Sequence, residues 1–230
     1  MSAPQNQLIA RLPAKDRRHL LALCEPVDLQ LAEVLCEPGE PTRFVYFPTE
    51  SFISLVTLVD GHPGVEVGMI GSEGLLGAQV ALGIATNPLQ ALVQGPGSAW
   101  RVARAAFVTE LARSGSLQRV LNRYLYVLMT QLTTSAACVR YHQVGPRLAR
   151  WLLMSQDRAH ADHFQMTQEF LATMLGVRRV GVTLAAGKMQ RQGLIHYRRG
   201  VLTVLDREGL SAAACSCYDT DRQTYRSVLP

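Results

Sequence analysis

From Ser116 to Val139 the chain runs for 24 residues without a glycine or a proline. A strand of that length is foreign to globular domains, so the stretch is expected to form one long helix. Within it Leu121, Leu125, Leu128, Leu132, Ser135 and Val139 fall at alternating spacings of four and three, the a/d seam of a coiled coil, apolar at five of six positions. Leu117, Val120, Tyr124 and Val127 make a second stripe on an adjoining face. A helix with two apolar faces needs two neighbours. One is its own domain, and the other is expected to be the same helix of a second subunit, with Leu121, Leu125, Leu128, Leu132 and Val139 at the dimer interface. A single core helix in a monomer is the plainer alternative.

Upstream of that helix the period is different. Short apolar stretches at Leu8–Leu12 and Arg17–Leu23 have helical spacing. From about Val27 the apolar runs are short and rich in β-branched and aromatic residues: Val34–Cys36, Phe44–Phe47, Phe52–Val59, Val65–Val67, Ala91–Gln94 and Ala99–Val102. Turn formers separate them at 37–41, 48–50 and 60–64. Short strands with Gly/Pro punctuation predict a compact β-sandwich or roll.

Charge divides at the same place. Residues 1–118 hold eight basic and eleven acidic side chains, a net −3, whereas 119–230 hold fifteen and seven, a net +8. An acidic half joined to a basic half points to a polyanion as partner of the second half alone. No apolar run reaches the ~18 residues of a membrane span, and no membrane partner is expected. The first residues lack the basic-then-apolar layout of a signal peptide, so a cytoplasmic location is expected. Five scattered cysteines, Cys24, Cys36, Cys138, Cys215 and Cys217, do not resemble a disulfide framework and read as reduced thiols.

Beyond the long helix, Gly145-Pro146 is read as the break, followed by an amphipathic helix over Arg147–Ser155 and a polar, turn-like stretch from Asp157 to Phe164. Thr167 is a good helix N-cap, and Glu169 sits in the first turn where the helix dipole favours an acid. Phe170, Leu171, Met174 and Leu175 give that helix an apolar face. Gly176 supplies a tight turn, and a second helix starts near Arg178, with Val182, Ala185, Ala186 and Met189 at core spacing. Two short helices about a glycine turn are the helix-turn-helix of DNA readers. Leu194–Tyr197 and Val201–Leu205 then flank Arg198-Arg199-Gly200 as a hairpin, or wing, with two arginines at its tip for phosphates. Asp206 caps a last helix holding Leu210 and Ala212–Ala214.

Gln168–Ala172, Met174–Arg179, and Leu194-Ile195 with the following hairpin resemble the DNA-binding domain of the CRP/FNR family of bacterial regulators. The preceding order is similar too: a β-roll with a Gly71-Ser72-Glu73-Gly74-Leu75-Leu76-Gly77 loop, then a long helix. The expected architecture is therefore α+β. It has a sensory, cyclic-nucleotide-binding-like β-roll (1–115), a dimerisation helix (116–143), a winged helix-turn-helix (144–218) and a C-terminal tail (219–230). The resemblance implies a homodimer on a palindromic operator in double-stranded DNA, contact with RNA polymerase, and a small-molecule effector at the β-roll. A constitutive DNA binder, whose β-roll serves dimerisation or protein contacts, is the alternative.

By resemblance, Arg179 matches the family's base-reading arginine, able to bond guanine O6 and N7 together. Arg178 and Thr183 are candidates for phosphate or base contact. Thr167, Gln168, Arg198 and Arg199 complete the DNA-facing set. Val180 stands where the family commonly has a base-reading glutamate, and Leu184 where it has a second arginine. Apolar side chains there can touch a thymine methyl but cannot accept from cytosine, so the operator should depart from the family's best-known consensus.

The family's cyclic-nucleotide site pairs a Gly-Glu for the ribose with an Arg-Ser/Thr-Ala run for the phosphate. Here Gly71, Glu73, Gly74 and Leu75 form the first part, but Leu89 and Gln90 stand in the phosphate position. A buried phosphate would lack its charge partner, so cyclic AMP and cyclic GMP are not expected to bind. An iron–sulfur cluster needs about four placed thiolates, and the N-terminal half offers two. Cys215-Ser216-Cys217 is a C-x-C pair without partners, a weak metal signal, Cys138 reads as helix packing, and His62 and His142 read as isolated histidines; His160-Ala-Asp-His163 offers two histidines and a carboxylate in a polar linker but no supporting shell. No cofactor or metal is expected. No nucleophile elbow, Walker loop, zincin or dinucleotide motif is present, so the chain is not expected to be an enzyme.

Overall fold

The computed structural model describes residues 5–229. Two short helices, α1 (Gln7–Ala10) and α2 (Ala14–Ala22), precede the β domain. Asn6 anchors them: its Oδ1 accepts from the amides of Leu8 (3.0 Å) and Ile9 (3.3 Å), while its Nδ2 donates to the carbonyls of Gly74 (2.7 Å) and Pro48 (3.0 Å). The strands are β1 (Glu25–Leu29), β2 (Val34–Cys36), β3 (Phe44–Pro48), β4 (Phe52–Val59), β5 (His62–Ile70), β6 (Gln90–Gly95) and β7 (Gly97–Ala103). They form two antiparallel sheets, ordered β1-β7-β3 and β2-β6-β4-β5. Ile53, Leu55, Ile70, Ala91 and Val93 from one sheet meet Leu29, Tyr46 and Ala99 from the other in a shared core.

β1 lay outside the sequence expectation, and β5 is far longer than Val65–Val67. The β4–β5 turn uses just Asp60-Gly61, with Gly61 at φ 74°, so pairing begins at Val59 opposite His62. Pro63 is tolerated because β5 is an edge strand with no neighbour to receive its missing N–H.

α3 (Arg104–Arg113) leads into the long helix α4 (Gly115–Tyr141), whose first turn is capped by Ser114 Oγ accepting from the Leu117 amide at 3.2 Å. The inward face of α4 is Leu117, Leu121, Tyr124, Val127, Gln131, Ser135 and Cys138. This corrects the phase of the seam. Leu121 is fully buried in the chain's own core, and Leu125, Leu128 and Leu132 are half-buried. The stripe left open is Leu125, Met129, Leu132 and Val139 beside Tyr126, spaced four, three and seven, with Met129 58% exposed.

The helix break falls at His142-Gln143 rather than at Gly145-Pro146. These two lie in the first turn of α5 (Val144–Ala159), where proline's missing N–H costs nothing. α5 continues through Arg158, past the expected end at Ser155, because its last turn is buried. Then follow β8 (His163–Gln165), α6 (Gln168–Leu175), α7 (Arg179–Arg191), β9 (Ile195–Arg198), β10 (Val201–Val204), α8 (Arg207–Ala213) and α9 (Cys217–Val228). β8 adds a third strand to the wing, in the order β8-β10-β9.

The expected tail, 219–230, is instead mostly α9. It packs along α4 and buries Tyr218 and Asp221, the latter paired with Arg150 of α5 at 2.6 Å. Among the described residues, no single helix is long and apolar enough to cross a membrane.

Candidate nucleic-acid interface

α6 and α7 cross at 108°, the angle of a helix-turn-helix. Local chemistry sets that geometry. Thr167 Oγ1 accepts from the Phe170 amide at 3.0 Å, fixing the start of α6, and Gly176 at φ 61° ends it. The Val177 amide then donates to the Ala172 carbonyl at 2.9 Å. Val182, Ala186 and Met189 bury the inner face of α7 against Leu148, Leu152, Leu171 and Leu175 in one continuous core. Trp151 of α5 meets Phe170 edge-on at 6.4 Å. Arg147 of α5 donates to the Leu175 carbonyl, so the last turn of α6 is held from below.

The outer face of α7 is free. Arg178, Arg179, Val180, Thr183 and Leu184 are all exposed, the two apolar ones at 62% and 69%. Arg178 occupies the N-cap position with no side-chain cap, and the first turn holds no acid. The helix start therefore presents unpaired amide donors and two guanidinium groups to one region of solvent. Thr183 is less available than expected, since its hydroxyl donates to Gln168 Oε1 at 2.7 Å and lies 3.1 Å from the Arg179 carbonyl. Gln168 is thereby drawn to α7, linking the two helices across their outer surface.

The wing turn is Arg199-Gly200, with φ of 50° and 79°, the two-residue type that matches strand twist. Tyr197 braces it: its amide donates to Gln190 Oε1 at 2.7 Å and its hydroxyl to the Met166 carbonyl at 2.9 Å. Arg198 and Arg199 are both exposed at the tip. Arg199 also lines a cleft of about 490 Å³ whose far wall is Leu31, Leu92, Val93 and Gln94 of the β domain.

The proposed effector residues do not assemble as expected. Glu73 forms an ion pair with Arg158 of α5 at 2.7 Å and accepts from the Gly71 amide at 3.2 Å. Leu75 is wholly buried in the core and lines no surface, and a Cβ on Gly74 would collide with the buried Tyr124 hydroxyl. Gln90 donates to both carboxylate oxygens of Glu37, at 3.0 and 3.2 Å. Leu89 donates its amide to Asn87 Oδ1. The loop carboxylate has thus been taken by the C-terminal module, and the Leu89-Gln90 segment is occupied elsewhere.

The cysteines divide into two groups. Cys24 is half-buried, and burial pushes its thiol up to about 12, the reverse of a reactive thiolate. By contrast, the partners that Cys215-Ser216-Cys217 lacks in sequence are supplied by tertiary packing: Cys138 and His142 lie beside them at the end of α4. The hydrogen bond between Cys138 and Cys215 is the largest influence on both thiols, lowering Cys138 and raising Cys215. His160 and His163 join no comparable group among the described residues.

Residues 146–213 match the family of Crp-like helix-turn-helix domains. None of the curated proteins matches the chain. Among solved structures, FixK2 from Bradyrhizobium japonicum is 15% identical, with a TM-score of 0.70, over 84% of this chain and 98% of that one. A CRP/FNR-family transcriptional regulator from Thermus thermophilus is 19% identical, with a TM-score of 0.68, over 83% and 98%. The c-di-GMP responsive global regulator CLP from Xanthomonas campestris is 18% identical, with a TM-score of 0.67, over 84% and 99%. The β domain, long helix and C-terminal module together have the fold of the CRP/FNR regulators.

Proposed function

We propose that this chain is a sequence-specific DNA-binding transcription regulator that acts as a homodimer on a two-fold symmetric operator. The observation that carries the reading is the outer face of α7. It is a helix start with two arginines and no acid in its first turn, followed by Val180 and Leu184 held in water without an intramolecular reason. That combination is costly as bare surface and fits a major groove, where guanidinium groups read guanine and apolar side chains meet thymine methyls. The open stripe of Leu125, Met129, Leu132 and Val139 on α4 is the surface for the second subunit. Pairing there places two recognition helices about 34 Å apart on one face of the duplex. Arg198 and Arg199 take phosphates. RNA polymerase is the expected protein partner.

Support for control by an effector comes from the ion pair between Glu73 and Arg158. A ligand that engages the Gly71–Gly74 loop through Glu73 has to displace Arg158, and so moves α5 and the module it carries. Cyclic AMP and cyclic GMP are not the ligands favoured, since neither Leu89 nor Gln90 brings the positive charge a buried phosphate needs. The second reading, a constitutive DNA binder, draws on the same ion pair: a loop already satisfied from within needs no ligand. Selection of bound duplexes from a random pool tests the main reading and returns the operator. Failure to enrich any sequence at moderate salt would remove it. Measuring affinity for the enriched duplex across panels of metabolites separates the controlled from the constitutive form.

A further inference from the structure

We propose that Cys138, His142, Cys215 and Cys217 are the four ligands of a tetrahedral metal site for a thiophilic divalent cation, zinc above all, that fastens the end of α4 to the α8–α9 junction. The four donor atoms all lie within 4.8 Å of one another. Cys138 Sγ is 3.5 Å from Cys215 Sγ, and Cys217 Sγ is 3.5 Å from His142 Nδ1. A tetrahedral zinc with its usual bond lengths has S···S edges of about 3.8 Å and S···N edges of about 3.6 Å. Both of these edges agree with those values to a few tenths of an ångström and the remaining edges do not exceed 4.8 Å, so a cation would enter by side-chain shifts of roughly an ångström.

The way the chain delivers these donors suits such a site. Cys138 and His142 are four residues apart on the last turn of α4, on one face. Cys215 and Cys217 flank Ser216, where the chain leaves α8 and begins α9. Each half is a close pair, and the halves are joined by tertiary packing alone. The three sulfurs form a cluster of their own, apart from the three apolar cores. A Cys138–Cys215 disulfide would use two of these groups and leave Cys217 and His142 without a role. A cation uses all four.

A second observation points to negative charge here. Arg147 is 7% exposed, and among the described residues no carboxylate lies within 4 Å of it. Its hydrogen-bond partner is the neutral Leu175 carbonyl. Arg147 and Arg150 line the same small cavity as Cys138 and Glu66; Arg150 pairs with Asp221 and Glu66 accepts from the Ser54 hydroxyl at 2.6 Å, whereas Arg147, among the described residues, has no carboxylate within ion-pair distance. A buried cation without a counter-charge is costly. Three thiolates around one divalent cation carry a net charge of −1, the charge Arg147 needs. Like the outer hydrogen bonds of known metal centres, the guanidinium would also stabilise the thiolate form.

The position gives the site a consequence. His142 is the C-cap of α4 and the first residue of the break into α5, and Cys215–Cys217 lie at the far end of the C-terminal module. A bound cation therefore clamps the break, and its loss frees the module to move relative to α4.

Metal analysis of the reduced, full-length protein, followed by titration of the stripped protein with cobalt(II), tests this. Expected are one ion per chain, the visible absorption of tetrahedral cobalt and a thiolate-to-cobalt charge-transfer band. Cys217→Ser should cut that band by roughly a third, in proportion to the thiolates lost, and Cys138→Ser and His142→Ala should each weaken cobalt binding by roughly ten-fold or more. Cys24→Ser and Cys36→Ser should leave both readouts unchanged. Circular dichroism of each variant separates loss of a ligand from loss of fold, and His142→Ala, at the one ligand of the four that is only half-buried, is the variant expected to stay folded. Substoichiometric uptake by the native chain, uptake indifferent to Cys217→Ser in a folded variant, or a metal-free Cys138–Cys215 disulfide in protein kept reduced would each overturn the assignment. None of these readouts involves DNA, so they stand apart from the regulator reading.

Discussion

Removing Glu73 should cost the fold about 3 kcal/mol, because it strands a buried guanidinium. The pair with Arg158 is 2.7 Å long, with side chains 16% and 8% exposed. Breaking a buried pair from one side costs ~3–5 kcal/mol, and the partial solvent access of Glu73 puts Glu73→Ala at the lower end. After the substitution Arg158 keeps its bond to the Met154 carbonyl at 3.0 Å, but its Nε already lacks a partner among the described residues. Arg158→Met should be milder, about 2 kcal/mol, since Glu73 retains the Gly71 amide and gains water. The double variant leaves no stranded charge. Its cost should fall short of the sum of the singles by about 1.5–3 kcal/mol, the coupling expected of groups in contact.

Urea unfolding of the four proteins at one fixed chain concentration measures that coupling. Repeating it at high salt discriminates a buried pair from a surface one, because screening acts on the second. A coupling below about 0.5 kcal/mol would mean that the loop is not held by α5, and the proposed route from effector to DNA would lose its first step.

Burial raises Glu66 to about 7, against an ordinary value of 4.5. Its folded form therefore holds a proton more tightly than its unfolded form. The associated stability is complete below about pH 4.5 and is lost as pH rises through about 7. Glu66→Gln should flatten that decline, whose slope is at most about 1.4 kcal/mol per pH unit, and melts across this pH range that superimpose for the two proteins would refute it. Gly176→Ala should destabilise by about 1–2 kcal/mol, since φ is 61° and a Cβ would sit 3.0 Å from Val65; an unchanged urea midpoint would contradict the turn geometry. Arg179→Ala should cost about 1–3 kcal/mol of discrimination confined to one base pair per half-site, read by competition among single-base operator variants; a uniform loss would demote Arg179 to a phosphate contact. Arg199→Ala should instead weaken all duplexes alike and lower the salt slope by about one unit per wing, so an unaltered slope would remove the wing from the interface.

Where local chemistry decides structure, the sequence was readable. Thr167, Gly176 and the Arg199-Gly200 turn announce their own backbone geometry, so α6, α7 and the wing could be placed within a few residues. The phase of α4 was not so clear, because a helix apolar on two faces supports two seams, and Leu121 fits either one. Its burial depends on where the β domain packs, which no spacing records. α9 escaped because its buried side includes Asp221 and Tyr225 as well as apolar residues, and the reason for burying the carboxylate, Arg150, lies 71 residues away. β8 is three residues long and acquires strand character by joining β10. The cysteine cluster shows the same limit in its strongest form: Cys138 and Cys215 are 77 residues apart, and neither half suggests the other.

These long-range contacts converge on α5, and that convergence bears on mechanism. Arg158 near its C-terminal end holds the β-roll loop through Glu73, Arg150 in its middle holds α9 through Asp221, and Arg147 near its start holds the last turn of α6. Each is a buried guanidinium reaching a different element, Arg158 and Arg150 through ion pairs and Arg147 through a backbone carbonyl, and each would be expensive to strip of its partner. Gradual displacement of a helix secured at three points by directional bonds is opposed, because an intermediate position strands a buried guanidinium. The helix either keeps all three partners or exchanges them for another complete set. Movement of the DNA-binding module should therefore occur as a switch between two packed arrangements, with any ligand acting through its differential affinity for them. The side chains that set the balance are then the three arginines of α5, none of which lies on the exposed face of α7.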